Sequence, residues 1–233
     1  DAVGGRVAAV KPQSAFFERH GSAGIAVLEE TLAALRDVGT LSVLDVKRGD
    51  IGSTMAGYAQ AYLSDGAPLA ADSITVSPYL GYGSLAPALD LAEAGGRGVF
   101  VLALTSNPEG TTVQHAVSGE RAVAAEVVEG VTASNAAARG EGGLGSIGLV
   151  VGATVGEAVS RLGIDLLRAN GPLLAPGVGA QGAGATELES VFGPARRHVL
   201  ASTSRGVLKA GPSIEALRAA ALAATHEAAA ALR

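Results

Sequence analysis

Two carboxylates and an ammonium fall within six residues at Asp45, Lys47 and Asp50, in the run Leu44-Asp45-Val46-Lys47-Arg48-Gly49-Asp50-Ile51. The run continues the apolar stretch Leu41-Ser42-Val43-Leu44, which reads as a strand, so the charges gather at a strand end. Side chains repeat every two residues along a strand, which turns Asp45 and Lys47 to one face. Gly49 offers a place for the chain to turn before Asp50. A lysine flanked by carboxylates stays protonated, and an ammonium held that way can deliver a proton or sit where negative charge develops in a reaction. Without chemistry, the same residues would be a solvated turn or a structural ion-pair network.

Other strand ends carry chemistry of their own. Lys11 precedes Pro12 at the end of an apolar run, and a lysine drawn inside a fold needs a partner. Ser106-Asn107-Pro108, after Leu104-Thr105, reads on its own as a helix-entry cap. Pro176-Gly177-Val178-Gly179-Ala180-Gln181-Gly182 contains the G-x-G-x-x-G spacing after an apolar run. A dinucleotide fold would then place an acid about 20 residues on, at the next strand's end. That stretch reads Arg197-His198-Val199-Leu200-Ala201 instead. A phosphate loop of a barrel fits better, with Arg205 following the next strand, since a guanidinium matches phosphate in bidentate geometry. Gly140-Glu141-Gly142-Gly143-Leu144-Gly145 lacks the Lys-Ser/Thr of a nucleotide-binding loop and reads as a connection. The histidines at 20, 115, 198 and 226 show no metal-ligand spacing, and the absence of cysteine excludes disulfides and thiolate metal sites.

The elements that must position these groups alternate along the chain. Strands are expected at 6–11, 41–46, 73–77, 98–104, 146–151, 173–176 and 198–203. Helical spacing lies between them, as in Ile25, Leu28, Leu32 and Leu35, in Leu85, Leu89 and Ala92, and in Val123, Val127 and Val131. Ser213 reads as the N-cap of a final Ala-rich helix. Alternation of this kind predicts a parallel sheet, either a (β/α)8 barrel or an open doubly wound sheet. Polar or Gly-rich groups follow most of the strands, and a barrel would gather them at one mouth, which favours a single barrel domain over 1–233. With 233 residues, 48% apolar and 17% charged, the chain can bury a core of that size. A net charge of −5 argues against nucleic acid as a partner. No apolar run reaches the about 18 residues of a membrane span, and no secretory signal opens the chain, so a soluble cytoplasmic protein is expected.

The ordered set Val10-Lys11-Pro12-Gln13, Leu44 to Ile51, Leu104-Thr105-Ser106-Asn107-Pro108-Glu109-Gly110, Pro176 to Gly182 and Ser204-Arg205-Gly206 resembles orotidine 5′-phosphate decarboxylase over nearly the whole chain. The forms Lys-Pro-Gln-Ser-Ala-Phe-Phe-Glu and Thr-Ser-Asn-Pro-Glu-Gly resemble its actinobacterial-type subgroup. The resemblance implies a TIM barrel of the ribulose-phosphate-binding type, working as a homodimer. Its reaction would be decarboxylation of orotidine 5′-monophosphate to UMP in de novo pyrimidine biosynthesis, with no metal and no cofactor. It implies Lys47 as the proton donor to the ring carbon that loses CO2, and Asp45 beside the substrate carboxylate. Lys11 would join the charged network and reach toward the ribose. Asp50 would act in the partner's site, with Ile51 and Thr54 nearby. Ser106 would bind the pyrimidine, and Pro176, Gln181 and Arg205 would line the substrate, the last two on its phosphate. The family's opening strand, with a ribose-binding Asp after Gly-Leu/Ile, has no counterpart ahead of Asp1, so the first β–α unit is expected to be absent from this chain. Two other readings stay open. One is a related barrel using the Asp-x-Lys-x-x-Asp array on a sugar phosphate with magnesium, and the other is a phosphate-binding barrel without catalysis.

Overall fold

The computed structural model describes residues 1–178 and 183–233, and the chain divides into two compact units, Asp1–Val99 and Phe100–Arg233. In the first unit the elements run β1 (Ala9–Val10), α1 (Ala15–Glu18), α2 (Gly21–Asp37), β2 (Leu41–Arg48), α3 (Gly52–Leu63), β3 (Ser73–Val76) and α4 (Ala86–Ala94). The strand β4 (Gly98–Leu104) crosses the boundary. In this unit β1 pairs with β2 and β2 with β3, all parallel, with Ala9 opposite Leu41 and Val43 opposite Ser73. Residues Ser42 to Val46 of β2 are all buried, as expected for a parallel strand covered on both faces. The helix α2 supplies one cover. Its buried residues Gly24, Leu28, Leu32 and Leu35 repeat at helical spacing along one stripe.

In the second unit the elements after β4 are α5 (Thr111–Gln114), β5 (Val117–Ser118), β6 (Arg121–Ala122), α6 (Val123–Ser134), α7 (Ala136–Gly140), β7 (Ile147–Val151), α8 (Ala158–Arg161), β8 (Leu173–Pro176), α9 (Ala185–Phe192), β9 (Val199–Ser202), α10 (Arg205–Leu208) and α11 (Ile214–Ala231). Here β7, β8 and β9 pair in parallel, with Leu149 opposite Leu173 and Leu173 opposite Val199. Asn135, at the end of α6, is buried and fully used: its Nδ2 donates to the carbonyls of Ile147 and Ala169. The side chain therefore ties α6 to the start of β7, a satisfied buried amide of the kind native interiors require. Ser213 caps α11 by accepting from Ala216 N, as its position implied.

All seven strands expected from the sequence are present among the described residues, with shorter ends at four of them, by a single residue in β3 and β7. The first was expected over 6–11 and is only Ala9–Val10, because Arg6 N turns back to Val3 O and Gly5 takes a left-handed φ of 68°. The last was expected from His198 and begins at Val199, because Gly193–His198 forms a 3-10 turn. The antiparallel hairpin β5–β6 was not expected. Among the described residues, no helix is long and apolar enough to cross a membrane.

Candidate active site

The charged array at the end of β2 is a built cluster within the first unit. Asp45 is 7% exposed, and both its carboxylate oxygens are taken. Oδ2 accepts from Lys11 Nζ at 2.8 Å, and Oδ1 accepts from Lys47 Nζ at 2.5 Å and from Thr75 Oγ1 at 2.8 Å. Lys11 comes within reach because the segment after β1 runs alongside: Asp45 N donates to Pro12 O, and Ser14 N donates to Asp45 O. Burial pushes the Asp45 carboxyl up, but the two ammonium groups, Lys11 foremost, outweigh it and hold it below its ordinary value. Two ammonium groups thus share one carboxylate, which leaves the cluster with an excess positive charge.

The local backbone departs from the regular strand that sequence reasoning assumed. Lys47 has φ 46°, a left-handed conformation that costs a non-glycine residue on the order of 1 kcal/mol. The pairing of β2 with β3 shifts register between Leu44 and Arg48. Lys47 reaches Asp45 through this distortion, rather than through period-two alternation. The turn expected at Gly49 is not made by a left-handed glycine either. Gly49 is needed because a Cβ there would lie 2.3 Å from Ser77 O, at the end of β3. Gly49→Ala is therefore expected to cost about 1–3 kcal/mol by forcing the backbones apart. Gly57→Ala, in the exposed middle of α3 where an added Cβ meets nothing within 4 Å, is expected to stabilise by about 0.5–1 kcal/mol. Thermal melts of the two variants measure this contrast. Equal shifts would remove close approach as the reason for Gly49.

Asp50 does not flank Lys47 within the chain. Its Oδ1 accepts from the following amide, Ile51 N, at 2.8 Å. Ile51 is the N-cap residue of α3 and is exposed, as is Thr54 in the first turn. Asp50 is half-buried, beside the exposed Ile51 and Thr54. A second network lies beside the cluster. Arg48 pairs with Glu18 at 2.5 Å and sits over the Tyr58 ring at 5.6 Å. Ser14 Oγ donates to the same Glu18 oxygen, and that bond, with help from Arg48, holds the Glu18 carboxyl below its ordinary value against some desolvation.

In the second unit Ser106 follows β4 and is exposed, and its hydroxyl has no hydrogen-bond partner among the described residues. Within Ser106-Asn107-Pro108 it is Asn107 that takes the N-cap place, before the 3-10 turn Pro108–Gly110. A Cβ on Gly152 would lie 3.1 Å from Ser106 N, so the end of β7 is shaped around this residue. Pro176 ends β8, opposite Ser202 of β9, and Gly177 follows with φ 99°. Arg205 opens α10 directly after β9 and is exposed. Gln181 lies outside the described residues. Among the described residues no three His, Asp or Glu side chains are grouped to hold a metal ion.

Sequence reasoning missed Thr75. It sits at 0% exposure in β3, donates to Asp45, and accepts from Lys47 N. The available signal was a hydroxyl inside the short apolar run Ser73-Ile74-Thr75-Val76, because a buried hydroxyl needs a partner.

The model of the orotidine 5′-phosphate decarboxylase / HUMPS family matches residues 1–220. The orotidine 5′-phosphate decarboxylase of Salinispora arenicola is 61% identical over 222 residues, covering 95% of this chain and 77% of that protein. That of Streptomyces coelicolor is 59% identical over 223 residues, with the same coverages of 95% and 77%. Among solved structures, a Streptomyces avermitilis protein described as a candidate orotidine 5′-phosphate decarboxylase superposes with a TM-score of 0.93 at 58% identity, covering 99% of this chain and 79% of that one. The Leishmania donovani OMP decarboxylase superposes with a TM-score of 0.76 at 33% identity, covering 96% of this chain and 80% of that one. The fold these relatives share with the chain is the α/β barrel class that the polar groups at the strand ends favoured. By the extent of these matches and the order of its motifs, the chain belongs to the orotidine 5′-phosphate decarboxylase / HUMPS family, on its actinobacterial-type branch.

Proposed function

We propose that this protein decarboxylates orotidine 5′-monophosphate to UMP, with Lys47 as the proton donor. The observation that carries the reading is the Lys11–Asp45–Lys47 cluster, in which a buried carboxylate holds two ammonium groups. In the reaction the bond between the ring carbon and the carboxylate breaks and CO2 leaves. The electron pair stays on the ring carbon until a proton from Lys47 Nζ forms the new C–H bond. Lys47 is left as a neutral amine and takes a proton from water. An ammonium already paired with Asp45 needs no rearrangement to meet the negative charge as it develops. Asp45, kept anionic by its two partners, would stand against the substrate carboxylate, and that repulsion is relieved when CO2 departs. Lys11 holds Asp45 in place and reaches toward the ribose.

The remaining roles rest on the family match. Ser106 hydrogen-bonds the pyrimidine, and its unpartnered hydroxyl supports this. Ile51, Thr54 and Pro176 line the substrate, and Gln181 and Arg205 hold its phosphate, so binding energy far from the ring serves the reacting carbon. A single family model spanning 1–220 supports one decarboxylase domain. A chain without cysteine suits a cytoplasmic enzyme.

The protein works as a homodimer in which Asp50 completes the partner's site. Support comes from the exposure of Ile51 and Thr54 next to Asp50, and from the excess positive charge that a second carboxylate would balance. Mixing Lys47→Ala with Asp50→Ala protein is then expected to recover about a quarter of wild-type turnover. Half the dimers would be mixed, and each of those would have one intact site. No recovery after demonstrated subunit exchange would sink the shared site. The reaction itself is tested by the ultraviolet absorbance change of orotidine 5′-monophosphate with EDTA present. Metal-independent turnover is expected; a folded protein that leaves the substrate unchanged would overturn the reading.

A further inference from the structure

The geometry points to Thr75 as a positioning residue that sets both the backbone of Lys47 and the charge state of Asp45. The inference rests on the decarboxylase reading above. It begins from a closed ring of bonds. Lys47 N donates to Thr75 Oγ1 at 2.9 Å, Thr75 Oγ1 donates to Asp45 Oδ1 at 2.8 Å, and the same oxygen accepts Lys47 Nζ at 2.5 Å. The direction of each bond is forced. A backbone N–H can only donate, so the Thr75 oxygen accepts there, and its single hydrogen must be given elsewhere. That hydrogen goes to Asp45, and Oδ1 must then be a bare acceptor. The groups facing Asp45 are Lys11 from the segment after β1, Lys47 from its own strand, and Thr75 from β3.

The ring also accounts for the conformation of Lys47. Its φ of 46° turns the amide out of the regular ladder, and an amide turned inward without a partner would be costly. Thr75, fully buried on the neighbouring strand, is the acceptor that makes the turn tolerable. One hydroxyl thus couples the strained backbone of the proton donor to the carboxylate that holds its ammonium. A serine in this place would keep the ring, whereas a valine of the same shape would break both bonds and leave the Lys47 amide unpaired.

The test uses Thr75→Val and Thr75→Ser in the full chain. Thr75→Val is expected to lower kcat about 10- to 100-fold, the effect of losing a hydrogen bond to a charged group, with KM changed much less. Its acid limb should move to higher pH, since the lost donor favoured the charged form of Asp45. Thr75→Ser should restore both. If Thr75→Val does not fold, Thr75→Ala removes the same hydroxyl with less intrusion. A readout independent of turnover separates this inference from the proposed reaction. The Asp45 carboxyl carbon, assigned by its loss in Asp45→Asn, is titrated by NMR, and its midpoint should rise in Thr75→Val even if the wild type turns over nothing. An unmoved midpoint with wild-type kcat would overturn the inference. So would equal losses in Thr75→Val and Thr75→Ser, since serine keeps the hydroxyl that valine lacks.

Discussion

Lys47→Ala is expected to reduce turnover of orotidine 5′-monophosphate by at least about 10²–10⁴-fold, the range of a positioned proton donor, while leaving the fold intact. The structure separates the two effects. The Lys47 side chain is 42% exposed, so its truncation opens no cavity. Asp45 keeps Lys11 at 2.8 Å and the Thr75 hydroxyl, so no buried carboxylate is stranded. Stability should change by no more than about 1 kcal/mol, the usual worth of a partly exposed ion pair. Lys47→Arg sharpens the test. It keeps a cation beside Asp45 but replaces a group that can release a proton by one that does not at neutral pH. A cluster acting only through its field would tolerate arginine, whereas a proton donor would not. Steady-state kinetics on both variants, with circular dichroism to confirm folding, decides the matter. Turnover of Lys47→Ala within tenfold of wild type would remove Lys47 from the chemistry.

The parts of this site that were legible in the sequence were those carried by residue type and strand position. Lys11, Asp45 and Lys47 fell at the ends of two strands that alternation made neighbours, and they do meet. What was not legible was how the backbone brings them together. Period-two alternation assumes an unbroken strand, whereas Lys47 sits at φ 46° inside a register shift. Gly49 was read for its freedom to turn, but it is required by the nearness of Ser77 O, a contact set by β3 and invisible from the local sequence. Thr75 was missed for the same reason: its partners lie 30 and 28 residues away. Asp50 was read as a flank of Lys47 from spacing alone, and its carboxylate goes to its neighbour's amide instead. Of the fold, the strands β4 and β8 were placed to the residue, because continuous apolar runs leave little choice. The short hairpin β5–β6 escaped because strands of two residues carry no period, although Gly119-Glu120 between them is an acceptable hairpin turn.

Asp45→Ala should produce the largest loss of stability among the site residues, about 3 kcal/mol at neutral pH, because it removes the one anion between two ammonium groups. Lys47 can turn to water. Lys11 is only 14% exposed and cannot do so freely, and the buried Thr75 hydroxyl loses its acceptor as well. The effect has a definite pH dependence. The native Asp45 carboxyl sits below its ordinary value, burial opposing and the lysines prevailing. Its contribution is therefore fully present above the unfolded carboxylate value of about 4, and is lost as pH falls through the lower native value. The gap between wild type and Asp45→Ala should narrow on acidification. Glu18, which is also held low, titrates in both proteins and cancels from the gap. Denaturant unfolding across an acid series measures it, and a gap that does not vary with pH would contradict the ion-pair account. If the loss arises from a stranded charge rather than a missing contact, adding Lys11→Met to Asp45→Ala should recover part of the stability, since the pair would then be replaced by apolar groups. A double variant less stable than Asp45→Ala alone would show instead that Lys11 packs favourably without its partner.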